Sequence, residues 1–396
     1  MVDIAILYDR SESDELGIRL TAKNIGIELG YVPFHKVAFG FDEKGYTLTS
    51  VGRDYTNTLK DARVVLNRGQ SKNRRIFAAA ILESIGKSVV NPLNVELTCQ
   101  SKIRSLLLFA AKGINIPKTV YVPCNVWEKS DTREPIDNAE SISALTERQL
   151  GSTMVIKPDA GTHGRSVTLA RGHEGIVEVL HGVESGITNP VGVVAQELID
   201  KWFYDLRIIV SKEAGKAPYC HPIALVRGGF REFRTNTFLG NMVFHAELPV
   251  GVRRDAELCG STLAGDSPAW LIALDAMPRI GANKTADDHE VKTHLKSLET
   301  PFAEVTKAKM DHNKKTQFEN YSLSVEKAYL AYKETEAYCL IQEAIQKSLD
   351  VAEDRVVFHE GNSCPEFWEQ TRIIAGINVA EPLLRCAMSL LDRYSS

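Results

Sequence analysis

In "MVIKPDAGTHGRSVTLA" (154–170) a lysine closes an apolar run, a proline follows it, and two glycines come next. Pro158 has no N–H to give a ladder, so the run reads as a strand that stops at Lys157. Gly161 and Gly164 let backbone amides approach a ligand closely. A loop of this kind can fold over phosphates, with the strand lysine reaching their oxygens. It is not the Walker spacing, and alone it also describes a surface hairpin. In "VVFHEGNSCPEF" (356–367), Glu360 and Asn362 stand two apart on a strand and so share a face. Both offer hard oxygens suited to Mg²⁺ held between protein and nucleotide phosphates. A carboxylate on an apolar strand needs a partner, and a metal supplies one. Asp350 lies upstream as a candidate second carboxylate.

Two further stretches carry donors and acids. "GGFREFRTNTFLGN" (228–241) places Arg231, Arg234 and Asn236 near glycines. If the segment is extended, Arg234 and Asn236 face one way and suit an anionic substrate or a developing acyl phosphate. "AQELIDKWFYDLRIIV" (195–210) alternates acids with apolar residues and could line an adenine and ribose site. Taken singly, these are also what a basic loop or a plain strand pair looks like.

The elements around these residues follow from periodicity. "DIAILYD" (3–9) reads as a buried strand, and residues 13–30 as a helix with Gly30 at its C-cap. "ARVVLNRG" (62–69), "RRIFAAAILESIG" (74–86) and "SVVN" (88–91) continue as strand, helix and strand. Alternation without hairpin turns argues for a parallel α/β layer over about residues 1–95. A helix over 97–113 and a strand ending at 122 lead into the Lys157 region. Strands are expected at 192–200, 205–211, 222–228 and 241–248, then a long helix from 325, a strand at 355–362 and an amphipathic helix from about 376. Residues 264–324 are polar and weakly periodic, and read as an insertion, a partner-binding arm or a solvated surface excursion.

Composition narrows the classes. A chain of 396 residues implies two or three lobes. A net charge of −4 argues against a broad nucleic-acid surface and leaves room for a local phosphate pocket. The N-terminal apolar stretch is short and acids follow it, which fits neither a signal peptide nor a membrane anchor. Seven cysteines without a CxxC pair suggest reduced thiols, a cytoplasmic protein and no zinc site. The acids in "YDRSESDE" and the lack of GxGxxG oppose a dinucleotide-dependent dehydrogenase.

The order of the four stretches resembles the ATP-grasp superfamily, in particular the RimK/LysX group of carboxylate–amine ligases. Residues 64–122 look like the end of that family's N-terminal domain, running into the helix with its first ATP lysine, here Lys102. "VIKPDAGTHGRSV" matches the second lysine, Lys157, and the glycine loop with Gly161 and Gly164. "QELI" resembles the adenine hinge, with Gln196, Glu197 and Leu198, the last through its backbone. "DLR" resembles the Asp-x-Arg strand, with Asp205 and Arg207. "EFRTN" resembles the Arg-x-Asn element, with Arg234 and Asn236, and "HEGNSCPEF" the Glu-x-Asn metal motif, with Glu360 and Asn362.

The resemblance implies an α/β (α+β) ATP-grasp fold. A parallel pre-ATP-grasp domain would span 1–97, a central lid subdomain 98–192, and a mixed-sheet C-terminal subdomain 193–396, with an insertion at about 264–324. It implies ATP with Mg²⁺, two ions with Mn²⁺ as a substitute, held by Asp350, Glu360 and Asn362. Asp350 stands closer to Glu360 than the family's first carboxylate does, so Glu353 or Asp354 could replace it. Asn241 stands where relatives have a second glycine. The implied partners are a small-molecule or carrier-protein-bound carboxylate and an amino acid, in a homodimer or homotetramer, without nucleic acid or membrane. Arg234, Asn236 and Arg207 would be the catalytic residues, and His163 only a loop residue. A nucleotide-binding scaffold and a glutathione-synthetase-like peptide ligase remain alternatives, and which acid and amine are joined stays open.

Overall fold

The structure is a computed structural model and describes residues 2–161, 166–182, 192–235 and 240–393. Its first sheet is parallel, in the order Leu29–Pro33, Ile4–Tyr8, Val64–Arg68, Ser88–Val90. The two central strands are buried almost throughout, as a parallel sheet covered on both faces requires. The helix after the first strand is shorter than its periodicity suggests: it spans Ser13–Asn24, and Gly26 takes the left-handed turn at φ +74°. Gly30 is therefore not a cap. It sits in the edge strand, where a Cβ would come within 2.4 Å of Thr58 Cγ2 on the covering helix Tyr55–Asp61. A hairpin, Val37–Asp42 with Gly45–Ser50, also interrupts the expected alternation; its turn is the polar "DEKG".

The next sheet is antiparallel, in the order Thr168–Arg171, Thr153–Lys157, Val193–Glu197, Thr119–Val122. Helices Ala139–Leu150 and Gly172–His181 close over it around their own apolar cluster, which includes Met154, Ile156 and Ile176. The third sheet is also antiparallel: Met242–Glu247, Ile223–Gly228, Tyr204–Lys212, Trp270–Pro278, Val356–Asn362, with Tyr219–Cys220 beside Tyr204–Lys212. The main core joins this sheet to the N-terminal one.

The 264–324 stretch departs from the expected surface excursion. Trp270–Pro278 is a nearly fully buried strand inside the third sheet. Its apolar run is flanked by "GDSP" and "GANKTADDHE", which hid it in any averaged pattern. The chain then makes helices Asp288–Ala308 and Phe318–Lys333 before returning to the neighbouring strand Val356–Asn362. Tyr329 and Tyr332 of the second helix are fully buried. The expected long helix from 325 is two, because Thr335 caps a new one, Glu336–Val351, by accepting from the Tyr338 amide at 3.3 Å. Similarly, Ser101 divides 97–113 into Leu93–Gln100 and Lys102–Ala111. Among the described residues no helix is long and apolar enough to cross a membrane.

Candidate active site

Lys157 is the last residue of its strand and is buried. Lys102 is the first residue of its helix and is also buried. The residue that locks these two elements is Asp159, two beyond Lys157. Its carboxylate accepts from Ser101 Oγ at 2.9 Å and from the Ile103 amide at 2.8 Å, capping the Lys102 helix. Lys102 Nζ donates to the carbonyls of Asp159 (3.3 Å) and Gly161 (3.4 Å). The glycine loop thus starts at the first lysine. Gly164 and His163 lie outside the described residues.

Lys102 Nζ is 3.6 Å from Glu360 Oε1, and Lys72 Nζ is 3.6 Å from the same oxygen. Burial alone would raise the Glu360 carboxyl; Lys102 and Lys72 outweigh it and hold it at about 2. Lys157 shows the opposite balance. Burial, and then the Lys102 charge, push its ammonium down to about 7 against the pull of Glu360 and Asp159. Gly361 beside Glu360 is closely packed: a Cβ there would come within 2.4 Å of Leu263 Cδ1, which would have to shift. Asn362 shares the Glu360 strand, and its Oδ1 accepts from the Cys364 amide at 3.0 Å, which starts the turn.

Asp275 stands opposite Glu360 in the antiparallel register, next to a bulge in the ladder. It is buried, and Arg207 grips both its oxygens at 3.0 Å. Arg227 reaches Asp275 at 3.3 Å and donates to Asp205 at 2.8 Å. Burial would raise both acids, and these guanidinium groups hold both below the usual carboxylate range. Lys201 approaches Asp205 at 3.8 Å and donates to Thr235 Oγ1 at 2.6 Å, while Thr235 donates to Asp205. The loop carrying Arg234 is pinned through Thr235. Asn241 Nδ2 donates to the Arg234 carbonyl at 3.0 Å, and the Arg234 guanidinium turns to Glu232 at 2.6 Å. Asn236 lies outside the described residues. His359 is also packed here. Burial, followed by the Lys157 charge, lowers it to about 4 and keeps it neutral.

At the junction of the two antiparallel sheets, Gln196 donates to Thr119 Oγ1 at 2.7 Å, inside the central sheet. The Glu197 carboxylate accepts from Arg279 at 2.5 and 3.1 Å, and from the Lys118 amide. Leu198 is 37% exposed at the start of the link to the third sheet.

The structure does not bring Asp350 to this cluster. It is exposed at the end of its helix and accepts from Gln346 Nε2 at 2.9 Å. Glu353 accepts from the Gly251 amide at 2.7 Å, and Asp354 is exposed beside Arg355. The acids beside Glu360 and around the guanidinium pair were the ones to find. Asp275 in "WLIALDAMP" and Arg227 in "PIALVRG" are single charges inside apolar runs, and such charges need partners. Among the described residues no three His, Cys, Asp or Glu gather as a metal cluster.

A helix and two strands thus supply paired lysines and, two residues apart on one of the strands, a carboxylate and an amide. Residues 99–256 match the family described as the RimK-like ATP-grasp domain, and the chain carries that domain. It is similar to alpha-aminoadipate–LysW ligase LysX of Sulfurisphaera tokodaii, 24% identical over 60% of this chain and 73% of that one. Across three LysX relatives, the chain matches between 63% and 73% of their length. Glutamate–LysW ligase ArgX of Sulfolobus acidocaldarius is 24% identical over 56% of this chain and 70% of that one. In fold it is similar to the RimK domain ATP-grasp protein of Sphaerobacter thermophilus, with TM-score 0.54 and 14% identity over 97% and 99% of the two chains.

Proposed function

We propose that this ATP-dependent, ADP-forming carboxylate–amine ligase joins an amino acid to a carboxylate on a carrier protein or small molecule, through an acyl phosphate. The observation that carries the reading is Glu360, met by Lys102 and Lys72 from separate parts of the chain, with Lys157 near enough to feel both Lys102 and Glu360. The relatives that join α-aminoadipate or glutamate to LysW support an amino acid as one substrate and a carrier protein as the other. A homodimer or homotetramer in the cytoplasm is part of the same proposal.

In this reading Lys102 and Lys157 bind ATP phosphates as point charges. Gln196, Glu197 and Leu198 border the adenine, and Asp205 lies toward the ribose and phosphates. Asp275, Glu360 and Asn362 suit Mg²⁺ or Mn²⁺ and replace Asp350 in the expected set. They supply hard oxygens, and Asp275 faces Glu360 across the ladder. A carboxylate has about four acceptor positions, and the guanidinium groups take three on Asp275. Bound there, two ions would neutralise phosphate charge. The donor carboxylate attacks the γ-phosphorus, and ADP leaves with the electron pair of the broken P–O bond. The amine nitrogen then attacks the acyl carbon, phosphate leaves, and the nitrogen gives its proton to solvent. Arg234 and Asn236 hold the acyl phosphate and the tetrahedral oxyanion. Arg207 orients Asp275.

The test is ADP release screened over pairs of carboxylates and amino acids, carrier-bound acids included. Release that needs both substrates and a divalent cation is expected; release that needs neither would leave only a nucleotide-binding scaffold. Glu360→Ala should still bind nucleotide but lose this release by about 10²-fold or more. Normal ADP formation by that variant would remove Glu360 from the metal set.

Lys157 also predicts a proton linkage. With its ammonium at about 7, it is largely neutral at about pH 8, and phosphate oxygens favour the charged form. Mg·ADP binding at about pH 8 should therefore take up a proton, so calorimetric heats will vary with the buffer's ionisation enthalpy. Near pH 5.5 Lys157 is already charged, and the variation should vanish. Heats independent of buffer at both pH values would contradict the assignment.

A further inference from the structure

Among the described residues, Lys72 is the one cation at the Glu360 carboxylate that comes from the N-terminal α/β domain. It opens the helix Lys72–Ser84, with Ser71 as N-cap accepting from the Arg74 amide. A helix N-terminus favours anions, so an ammonium at its first position gains nothing from its own helix. Its ammonium donates to the carbonyls of Cys99 at 3.4 Å and Gln100 at 3.5 Å, both long. The two arginines behind it are already neutralised. Arg75 donates to Glu96 at 2.8 Å, and Arg68 meets Glu15 at 3.3 Å and Asp14 at 3.5 Å. Only Glu360 answers Lys72 with a charge among the described residues.

We infer that Lys72 binds the donor carboxylate, and then the acyl phosphate made from it; this rests on the ligase reading above. Lys102 and Lys157 belong to the helix and strand that meet the nucleotide phosphates in that reading. Glu360 would help hold a divalent ion, which would offset the negative charge that Lys72 faces. Lys72 would then be left as a largely buried cation beside the amide end of its own helix. The anion that the reaction brings to this place besides ATP is the carboxylate to be activated. Lys72 moves no proton: the carboxylate oxygen forms its bond to phosphorus as the bond to the bridging oxygen breaks, and Lys72 holds the charge of the second carboxylate oxygen throughout. It is a carboxylate-binding residue from outside the matched 99–256 domain.

The experiment compares wild type with Lys72→Met and Lys72→Arg. Mg·AMPPNP affinity is measured by calorimetry, and KM and kcat are measured for the carboxylate giving the fastest ADP release. Lys72→Met should raise the carboxylate KM about tenfold or more and leave AMPPNP affinity within about twofold. Lys72→Arg should recover most of the loss. An unchanged carboxylate KM, or loss of AMPPNP affinity to the same degree, would overturn the role. A melting point lowered in Lys72→Met with an unchanged KM would assign Lys72 to packing against the carbonyls of 99 and 100. Wild type inert toward every carboxylate would overturn the ligase reading, and this role with it. An active wild type with an unaffected variant overturns the role of Lys72 alone.

Discussion

Lys157→Ala should lose ATP-dependent turnover by about 10³-fold or more and keep its fold. Lys157 is buried at the end of Thr153–Lys157, and its side chain makes no structural ion pair among those described for the site. Burial comes first in depressing its ammonium to about 7, and the Lys102 charge adds to it. The sign of the stability effect follows. A lysine whose folded value lies below its unfolded value of about 10.4 costs stability when charged in both states, below about pH 7. That cost is relieved as pH rises from about 7 to about 10. Removing the side chain removes an unfavourable charge and leaves a small cavity, so melting near neutral pH should change little. Lys157→Met, which fills the space, should melt at or above wild type at about pH 6. Circular dichroism melts and ADP release check both halves. Full turnover by the alanine variant would place the phosphates elsewhere, and a collapsed melting point would make Lys157 structural.

The contrast between Lys157 and Asp275 shows which physics a sequence exposes. Lys157, Gly161, Glu360 and Asn362 are organised by spacings of a few residues, and the period of a strand already says which of them share a face. The parallel N-terminal sheet was legible for the same reason, as short apolar runs alternating with helical ones. Asp275 belongs with Glu360 only through the register between Trp270–Pro278 and Val356–Asn362, whose connection consists of three helices. No local period reports that pairing, so an acid upstream on the same stretch, Asp350, took its place. The available signal was the lone Asp in nine nearly apolar residues. Lys72 was hidden in another way, because a lysine opening a helix looks solvated until the third sheet is set against it. Glycine patterns misled where two glycines competed: Gly26 ended the helix, and Gly30 served packing.

Asp275→Asn should disable the enzyme, while Asp350→Asn should leave it as it is. Asp275 is the centre of a buried charge chain: Arg207 holds both its oxygens, and Arg227 bridges it to Asp205. Burial alone would raise its carboxyl; the arginines reverse that, so it stays ionised far into acid. A group depressed in this way contributes stability above its unfolded value, about pH 3.9, and loses it as pH falls through the folded value. Neutralising it takes from the partly buried Arg207 its carboxylate and from the buried Arg227 one of its two acids, which costs about 3–5 kcal/mol. Asp275→Asn should thus melt lower at about pH 7, by an amount that shrinks as wild type is acidified. Stability and chemistry separate at 25 °C, where the variant can be checked for folded circular dichroism before assay. There its divalent-cation titration should need about tenfold more metal, and its maximal rate should fall about 10²-fold or more, with AMPPNP affinity measured without metal unchanged. Asp350 meets Gln346 on an exposed helix face, and its asparagine variant should match wild type in metal titration and rate. The reverse pattern, with Asp350→Asn losing its metal response and Asp275→Asn keeping it, would make Asp275 a purely structural acid. It would also require the end of helix Glu336–Val351 to move toward Glu360 when the cation binds.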